Sequence, residues 1–373
     1  MKRKMIHGMD ISSMDEVVRL GGKFYDKGTE GDLIGILKSY GVNYIRLRLW
    51  LNPYGKDGKP YGAGCNNLDT TVRMARKVKA AGLGFLLDFH YSDFWTDPGK
   101  QIKPKAWKDY GERELETALY EYTKETLLLL GEKDCSPNMV QVGNEITNGM
   151  LWPEGKTPNY ERLTRFINAG IRGVRETEGK IPVMLHLDQG NRQELYREWF
   201  DSYRKWGGED FEIIGLSYYP VWNGELKGLI DNMNALADLY GKEMIVVEVA
   251  QPFTMEDYAS HEGLSARERK GYAAKPENAG ALEYPATVEG QRAFMEKLIQ
   301  KIGNVKKGLG IGYFYWEPAW LPVAGSGWAT VESLAYMQDP GPCGNEWANQ
   351  GLFDYDGNAL PALEAIREQS SEL

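Results

Sequence analysis

Residues 139–145 read MVQVGNE: a short, mostly apolar run from Met139 to Val142, a break at Gly143, then Asn144 and Glu145. A run this short and bounded by Gly reads as a buried strand, not a helix. A carboxylate directly after it stands at a strand tip, poorly solvated, where burial without a role is costly. The same grammar recurs on both sides. Toward the N-terminus the runs are Ile6 to Ile11, Asn43 to Leu49 and Gly84 to Phe89; toward the C-terminus they are Pro182 to Leu187, Ile213 to Ser217, Met244 to Val247 and Gly310 to Tyr315.

Amphipathic stretches with helical period separate these runs: Asp32 to Ser39, Leu68 to Ala81, Glu112 to Leu130, Tyr160 to Glu178, Gln193 to Trp206, Leu226 to Tyr240, Val288 to Ile302 and Pro361 to Gln369. Eight alternations favour a closed (β/α)₈ TIM barrel of the α/β class over an open doubly wound sheet. The expectation is one catalytic domain spanning residues 1–373. Three segments exceed simple connections: Tyr91 to Gly111, Gln251 to Thr287 and Glu317 to Ala359, after strands 3, 7 and 8. In a barrel all three loops fall on the C-terminal face, where barrel enzymes hold their active sites.

Composition narrows the partners. The net charge of −9 is spread along the chain with no basic block to track phosphates, so nucleic acid is not an expected partner. No apolar run reaches the length of a membrane span, so no membrane partner is expected either. Three widely spaced cysteines, Cys65, Cys135 and Cys343, form no CxxC pair and suggest neither a disulfide framework nor a zinc site. The start MKRKMIHGMDISSM is basic but lacks the apolar stretch of a signal peptide. The chain as given reads as cytoplasmic, or as secreted if an export signal was trimmed.

Acids and aromatics converge at the strand ends. His90, Asp93 and Trp95 follow the third strand, Asn144 and Glu145 the fourth, His186 and Asp188 the fifth, Tyr218 and Tyr219 the sixth, Glu248 the seventh, and Trp316, Glu317 and Trp320 the eighth. A strand-tip Glu is as readily a structural ion pair or a helix cap as a catalyst. Two on one face, beside Trp and His, point to chemistry. Facing carboxyls can hydrolyse a glycosidic bond, one protonating the leaving oxygen while the other attacks the anomeric carbon or activates water. Arg46 and Arg48 alternate with apolar residues in YIRLRLW and point to one side of their strand, where they need anions. Arg46 is expected to keep Glu248 ionised. A single His at a strand end is as often structural as functional.

The motifs GVNYIRLRLW, LLDFHYSDFWTDPGKQIKPKAW, MVQVGNEITNGMLWPEGK and YFYWEPAW resemble those of glycoside hydrolase family 53, and LHLDQGNR, IIGLSYYPVW, VVEVAQPFT and NQGLFDYDGNALPAL extend the likeness across nearly the whole chain. The resemblance implies a retaining endo-β-1,4-galactanase acting on galactan, type I arabinogalactan or galactooligosaccharides. It implies Glu145 as acid/base, Glu248 as nucleophile, Asn144 as the partner of the sugar 2-hydroxyl, Arg46 as support of the nucleophile, and Trp95 and Trp316 as sugar platforms. His90, Asp93, His186, Tyr218 and Trp320 complete the candidate substrate contacts. A calcium loop found in many bacterial members is degraded here: Asp257 and His261 match, but Ala259 and Gly263 replace oxygen ligands. Calcium takes six to eight oxygens, so no metal or other cofactor is expected. Leu51 and Val249 to Gln251 also depart from the family pattern, and substrate contacts are expected to differ there. Two rivals stand beside the main reading: an exo-acting or oligosaccharide-preferring enzyme of the same fold, and a carbohydrate-binding barrel without catalysis.

Overall fold

All eight runs form strands, and in the computed structural model they close into a parallel barrel. The structure describes residues 4–177, 179–256, 280, 282–339, 343–345 and 347–371. The barrel strands are β1 (Ile6–Asp10), β2 (Tyr44–Leu49), β3 (Gly84–Phe89), β4 (Met139–Val142), β5 (Val183–Leu187), β6 (Ile213–Tyr218), β7 (Glu243–Val249) and β8 (Gly310–Trp316). Each pairs with its neighbours in sequence, and β1 closes the ring by pairing with both β2 and β8.

Alternation along the strands sorts side chains into the barrel or toward the helices. The lower interior is apolar: Ile6, Leu86, Met139, Met184, Ile213, Ile245, Val247 and Phe314 form their own buried cluster. Gly8 is required there, because a Cβ at that position would lie 2.3 Å from the Phe314 ring. Two residues further along β2, β3 and β5 the inward positions turn polar. Tyr44 gives way to Arg46 and Arg48, Leu86 to Asp88 and His90, and Met184 to His186 and Asp188. The barrel is therefore an apolar plug carrying a charged upper layer.

One irregularity aims a catalytic candidate. Along β7, Leu216 pairs with Val246 but Ser217 pairs with Glu248, so Val247 is an extra residue. Strict alternation after Ile245 and Val247 would send Glu248 outward toward the helices. The bulge turns it into the barrel mouth, a common use of bulges beside active sites.

The helical ring follows from amphipathic spacing. The helix Glu112–Glu132 buries Leu115, Leu119, Leu127 and Leu130, and Tyr160–Arg175 buries Leu163, Phe166, Ile167, Ile171 and Val174. Each such buried side chain contributes about 2 kcal/mol relative to exposure. Asp32, Asn67, Asn159 and Thr287 cap their helices by accepting from the backbone N–H three residues on. Several short elements carry no periodic signal in the sequence: the helix Met14–Arg19, the hairpin of Phe24–Asp26 with Thr29–Gly31, and the single-turn helix Pro220–Asn223. The loop after β8 contains a helix, Val331–Met337, and a 3₁₀ turn, Ala348–Gln350. Among the described residues no helix is long and apolar enough to cross a membrane.

Candidate active site

The charged layer is organised by Arg46, which is 1% exposed. Its Nη1 contacts Asp10 Oδ2 and Glu248 Oε1, each at 2.9 Å, and its Nη2 donates to Asp88 Oδ2 at 2.7 Å and Asn144 Oδ1 at 2.9 Å. One guanidinium thus holds three carboxylates from β1, β3 and β7. The second oxygen of Glu248 accepts from Tyr219 Oη at 2.9 Å. Burial pushes the Glu248 carboxyl up to about 6; Arg46 and the Tyr219 hydroxyl pull it down, while Asp88 and Asp10 push it up. The expectation that Arg46 keeps this group ionised is sharpened: a cation shared among three anions offsets only part of the cost of burial.

Glu145 sits across the mouth in left-handed backbone geometry, φ 46° and ψ 52°, immediately after the β4 turn. Such a conformation costs a non-glycine residue about 1 kcal/mol or more and occurs at sites where geometry matters. Among the described residues no cation pairs with its carboxyl. Oε1 accepts from Ser217 Oγ at 2.6 Å, and its proton affinity is raised well above the usual range by burial and by the charges of Glu248 and Asp188. Of the two glutamates facing each other, Glu145 has its proton affinity raised further, which suits it to hold a proton, while Glu248 beside Arg46 is the more readily ionised.

His90 and Asn144 line the same cleft. His90 Nδ1 accepts from the Thr96 N–H, so its proton lies on Nε2, 3.1 Å from Asp88 Oδ2. Asn144 donates one amide hydrogen to the Thr96 carbonyl at 2.9 Å, and the other has no acceptor among the described residues. Trp95 and Trp316 form adjoining walls with ring centres 6.0 Å apart; the Arg48 guanidinium lies 4.3 Å from the Trp95 ring centre, and the Trp95 Nε1 donates to Trp328 O. Arg48 itself is tied to Glu317 and to the Ala63 carbonyl.

Four expected substrate contacts lie elsewhere. His186 is fully buried behind Glu145, with both ring nitrogens engaged by protein groups. Tyr218 points outward; its hydroxyl donates to Gly224 O and its ring packs against Phe294. Tyr219, one residue on, is the tyrosine of the cleft. Asp93 is buried and accepts from the backbone N–H groups of Asn52 and Lys105, tying two loops together. Trp320 stacks behind Trp316 and donates to Asn345 Oδ1. The family departures at Val249, Ala250 and Gln251 are fully buried and Leu51 packs on the core, so none of them walls the cleft. Asp257, Ala259, His261 and Gly263 lie outside the described residues.

The cleft has a volume of about 480 Å³; the strand-end acid Asp188 lines it, and its wall includes residues that strand-end reading did not select: Ser217, Gln189, Trp222, Trp328 and Trp347. Trp347 meets Trp316 edge-on at 4.5 Å, and Trp222, 54% exposed, extends the aromatic surface through Tyr219 and Trp347. Flat aromatic faces beside a carboxyl pair suit sugar rings, which present C–H faces and hydroxyl edges.

A barrel whose mouth opposes a proton-holding carboxyl to an arginine-anchored carboxylate, walled by tryptophan, has the working parts of a glycoside hydrolase. The chain belongs to glycosyl hydrolase family 53, whose model matches residues 6–366. It is 41% identical over 371 residues to an uncharacterized protein in the bgaB 5′ region of Niallia circulans, covering 97% of this chain and 93% of that one. It is 35% identical over 392 residues to the endo-β-1,4-galactanase of Bacillus subtilis (strain 168), covering 100% of this chain and 87% of that one. Among solved structures, the Ignisphaera aggregans GH53 catalytic domain superposes with a TM-score of 0.89 at 37% identity, covering 98% of this chain and 96% of that one.

Proposed function

We propose that the protein is a retaining endo-β-1,4-galactanase acting on galactan or type I arabinogalactan. The observation that carries this reading is the opposed environment of Glu145 and Glu248 in a family whose named members include galactanases. Glu248 attacks the anomeric carbon as the bond to the leaving oxygen breaks, and that oxygen takes the proton of Glu145. Glu145, now a carboxylate, removes a proton from water; the water oxygen attacks the same carbon, Glu248 leaves, and Glu145 is protonated again. The free amide hydrogen of Asn144 is placed for a hydroxyl of the attacked sugar, and Trp316 for its face.

The two carboxyls supply both nucleophile and proton, so no step draws on a metal ion. The sequence supports this, since Ala259 and Gly263 cannot ligate calcium through side-chain oxygens. Activity is expected to survive EDTA treatment.

Chromatography of products from β-1,4-galactan tests substrate and mode together. Early mixtures of oligosaccharides are the expected result. Galactose alone, or faster turnover of galactotriose than of polymer, would indicate the exo-acting enzyme of a cytoplasm supplied with imported oligosaccharides. Absence of turnover alongside oligosaccharide binding would indicate a binding barrel.

A further inference from the structure

Ser217 has no part in the reaction as written, yet its hydroxyl touches the acid. Ser217 Oγ donates to Glu145 Oε1 at 2.6 Å and lies 2.8 Å from His186 Nε2, and both Ser217 and His186 are buried. The direction of these bonds is fixed by the backbone. The Glu145 N–H can only donate, and it points at His186 Nδ1 at 3.3 Å, with Gln141 Nε2 at 3.0 Å from the same atom. Asn144 Oδ1 also lies 3.1 Å from Nδ1, but it is already filled by N–H donors of Arg46 and Gln141, so the two donors facing Nδ1 decide: Nδ1 carries the lone pair and Nε2 the proton. Burial, then the charge of Arg46, depress the proton affinity of this ring well below its usual value, so it stays neutral. Nε2–H donates a hydrogen bond to Ser217 Oγ, which leaves the Ser217 O–H to donate to Glu145.

We infer that Ser217, oriented by His186, is the positioning residue of the acid/base: it fills Oε1 of Glu145 with a donated hydrogen bond and confines the acidic proton to Oε2. This rests on Glu145 being the acid/base. The same bond is kept when Glu145 becomes a carboxylate, and it is strengthened then because the acceptor is charged. Among the described residues, and beside the His186 ring itself, the titratable groups facing Glu145 are Glu248 from β7, Asp188 at the end of β5, Asp97 from the loop after β3, Tyr219 after β6 and Tyr196 from the helix Gln193–Lys205; these five are acids. Each of the five, when ionised, opposes the charge on Glu145. Ser217 favours that charge without carrying one of its own. It keeps the acid from holding its proton too tightly to release it.

The test compares pH profiles of kcat/KM on galactan for the wild-type chain, Ser217→Ala and Ser217→Thr, with Glu145→Gln as reference. Removing a bond that favours the carboxylate raises the acid's proton affinity, so the acid stays protonated to higher pH. The alkaline limb of Ser217→Ala is expected to move up by roughly one pH unit. Its kcat at the optimum should fall by about 10-fold with KM little changed, because a weaker and less aligned acid transfers its proton more slowly. The acidic limb, set by Glu248, should stay in place, and Ser217→Thr should restore both rate and limb. An alkaline limb that does not move in Ser217→Ala, or that Thr does not restore, overturns the role of Ser217. A dinitrophenyl β-galactobioside, whose leaving group needs no proton, separates this outcome from failure of the acid/base reading. Glu145→Gln should lose galactan hydrolysis but still release dinitrophenol, and a Glu145→Gln enzyme as active on galactan as wild type would remove the acid itself.

Discussion

The two sides of the cleft hold their carboxylates by opposite means. On the side built from β1, β2, β3 and β7, Glu248 is locked to a guanidinium that also binds Asp10 and Asp88. On the side built from β4, β5 and β6, the side-chain bond at Glu145 comes from a neutral hydroxyl backed by a neutral imidazole. A buried cation favours the charged state of its partner, whereas a neutral donor tolerates both states. A nucleophile needs the first arrangement, and a group that gives and retakes a proton in each cycle needs the second.

The contrast can be broken first at its anchors. Glu248→Ala should lower kcat on galactan by about 10⁴-fold or more while the barrel still folds, measured by reducing-sugar release and circular dichroism. Arg46→Met should lower activity by about 10³-fold and destabilise the protein by roughly 3–5 kcal/mol in denaturant titration, because it leaves three carboxylates buried without their cation. Arg46→Lys should rescue little of either, since an ammonium cannot present the planar fork that reaches Asp10, Asp88, Asn144 and Glu248 together.

The pH profile sharpens the same comparison at smaller amplitude. Glu248 must be ionised to attack, so kcat/KM should fall as pH drops through about 6, where this carboxyl titrates. Glu145 must be protonated, and its affinity is raised further, so the alkaline limb should lie above the acidic one. A profile without an acidic limb would show that Arg46 holds Glu248 ionised throughout.

Trp222 tests the rim and should give the smallest effect. It is half-exposed at the edge of the cleft and packs against Tyr219 and Trp347. Trp222→Ala should raise KM on galactan by roughly 3- to 10-fold with kcat nearly unchanged, the loss of one stacking platform.

Most of the fold was legible because it depends on local pattern. Each run from β1 to β8 carries its own signal, and the helices between them carry theirs in caps and apolar stripes. The site was legible where it sits on strand positions: Arg46, Asn144, Glu145 and Trp316 all line the cleft. Tyr218 was misjudged although the signal existed. Inward positions on β6 are Ile213, Gly215 and Ser217, so alternation selects Tyr219 and sends Tyr218 to the helices. His186 has the right parity but lies one layer too deep, and depth along a strand depends on barrel register that sequence does not state. The bulge that aims Glu248 is likewise a property of two strands paired. Asp93 and Trp320 found loop partners distant in sequence, and Trp222, Trp328 and Trp347 reach the cleft from loops that carry no period.

The asymmetry is tested most directly by trapping. Incubation with a 2-deoxy-2-fluoro-β-galactobioside bearing an activated leaving group, followed by peptide mapping by mass spectrometry, should place the glycosyl adduct on Glu248. An adduct on Glu145, or no adduct together with products of inverted anomeric configuration, would contradict the account.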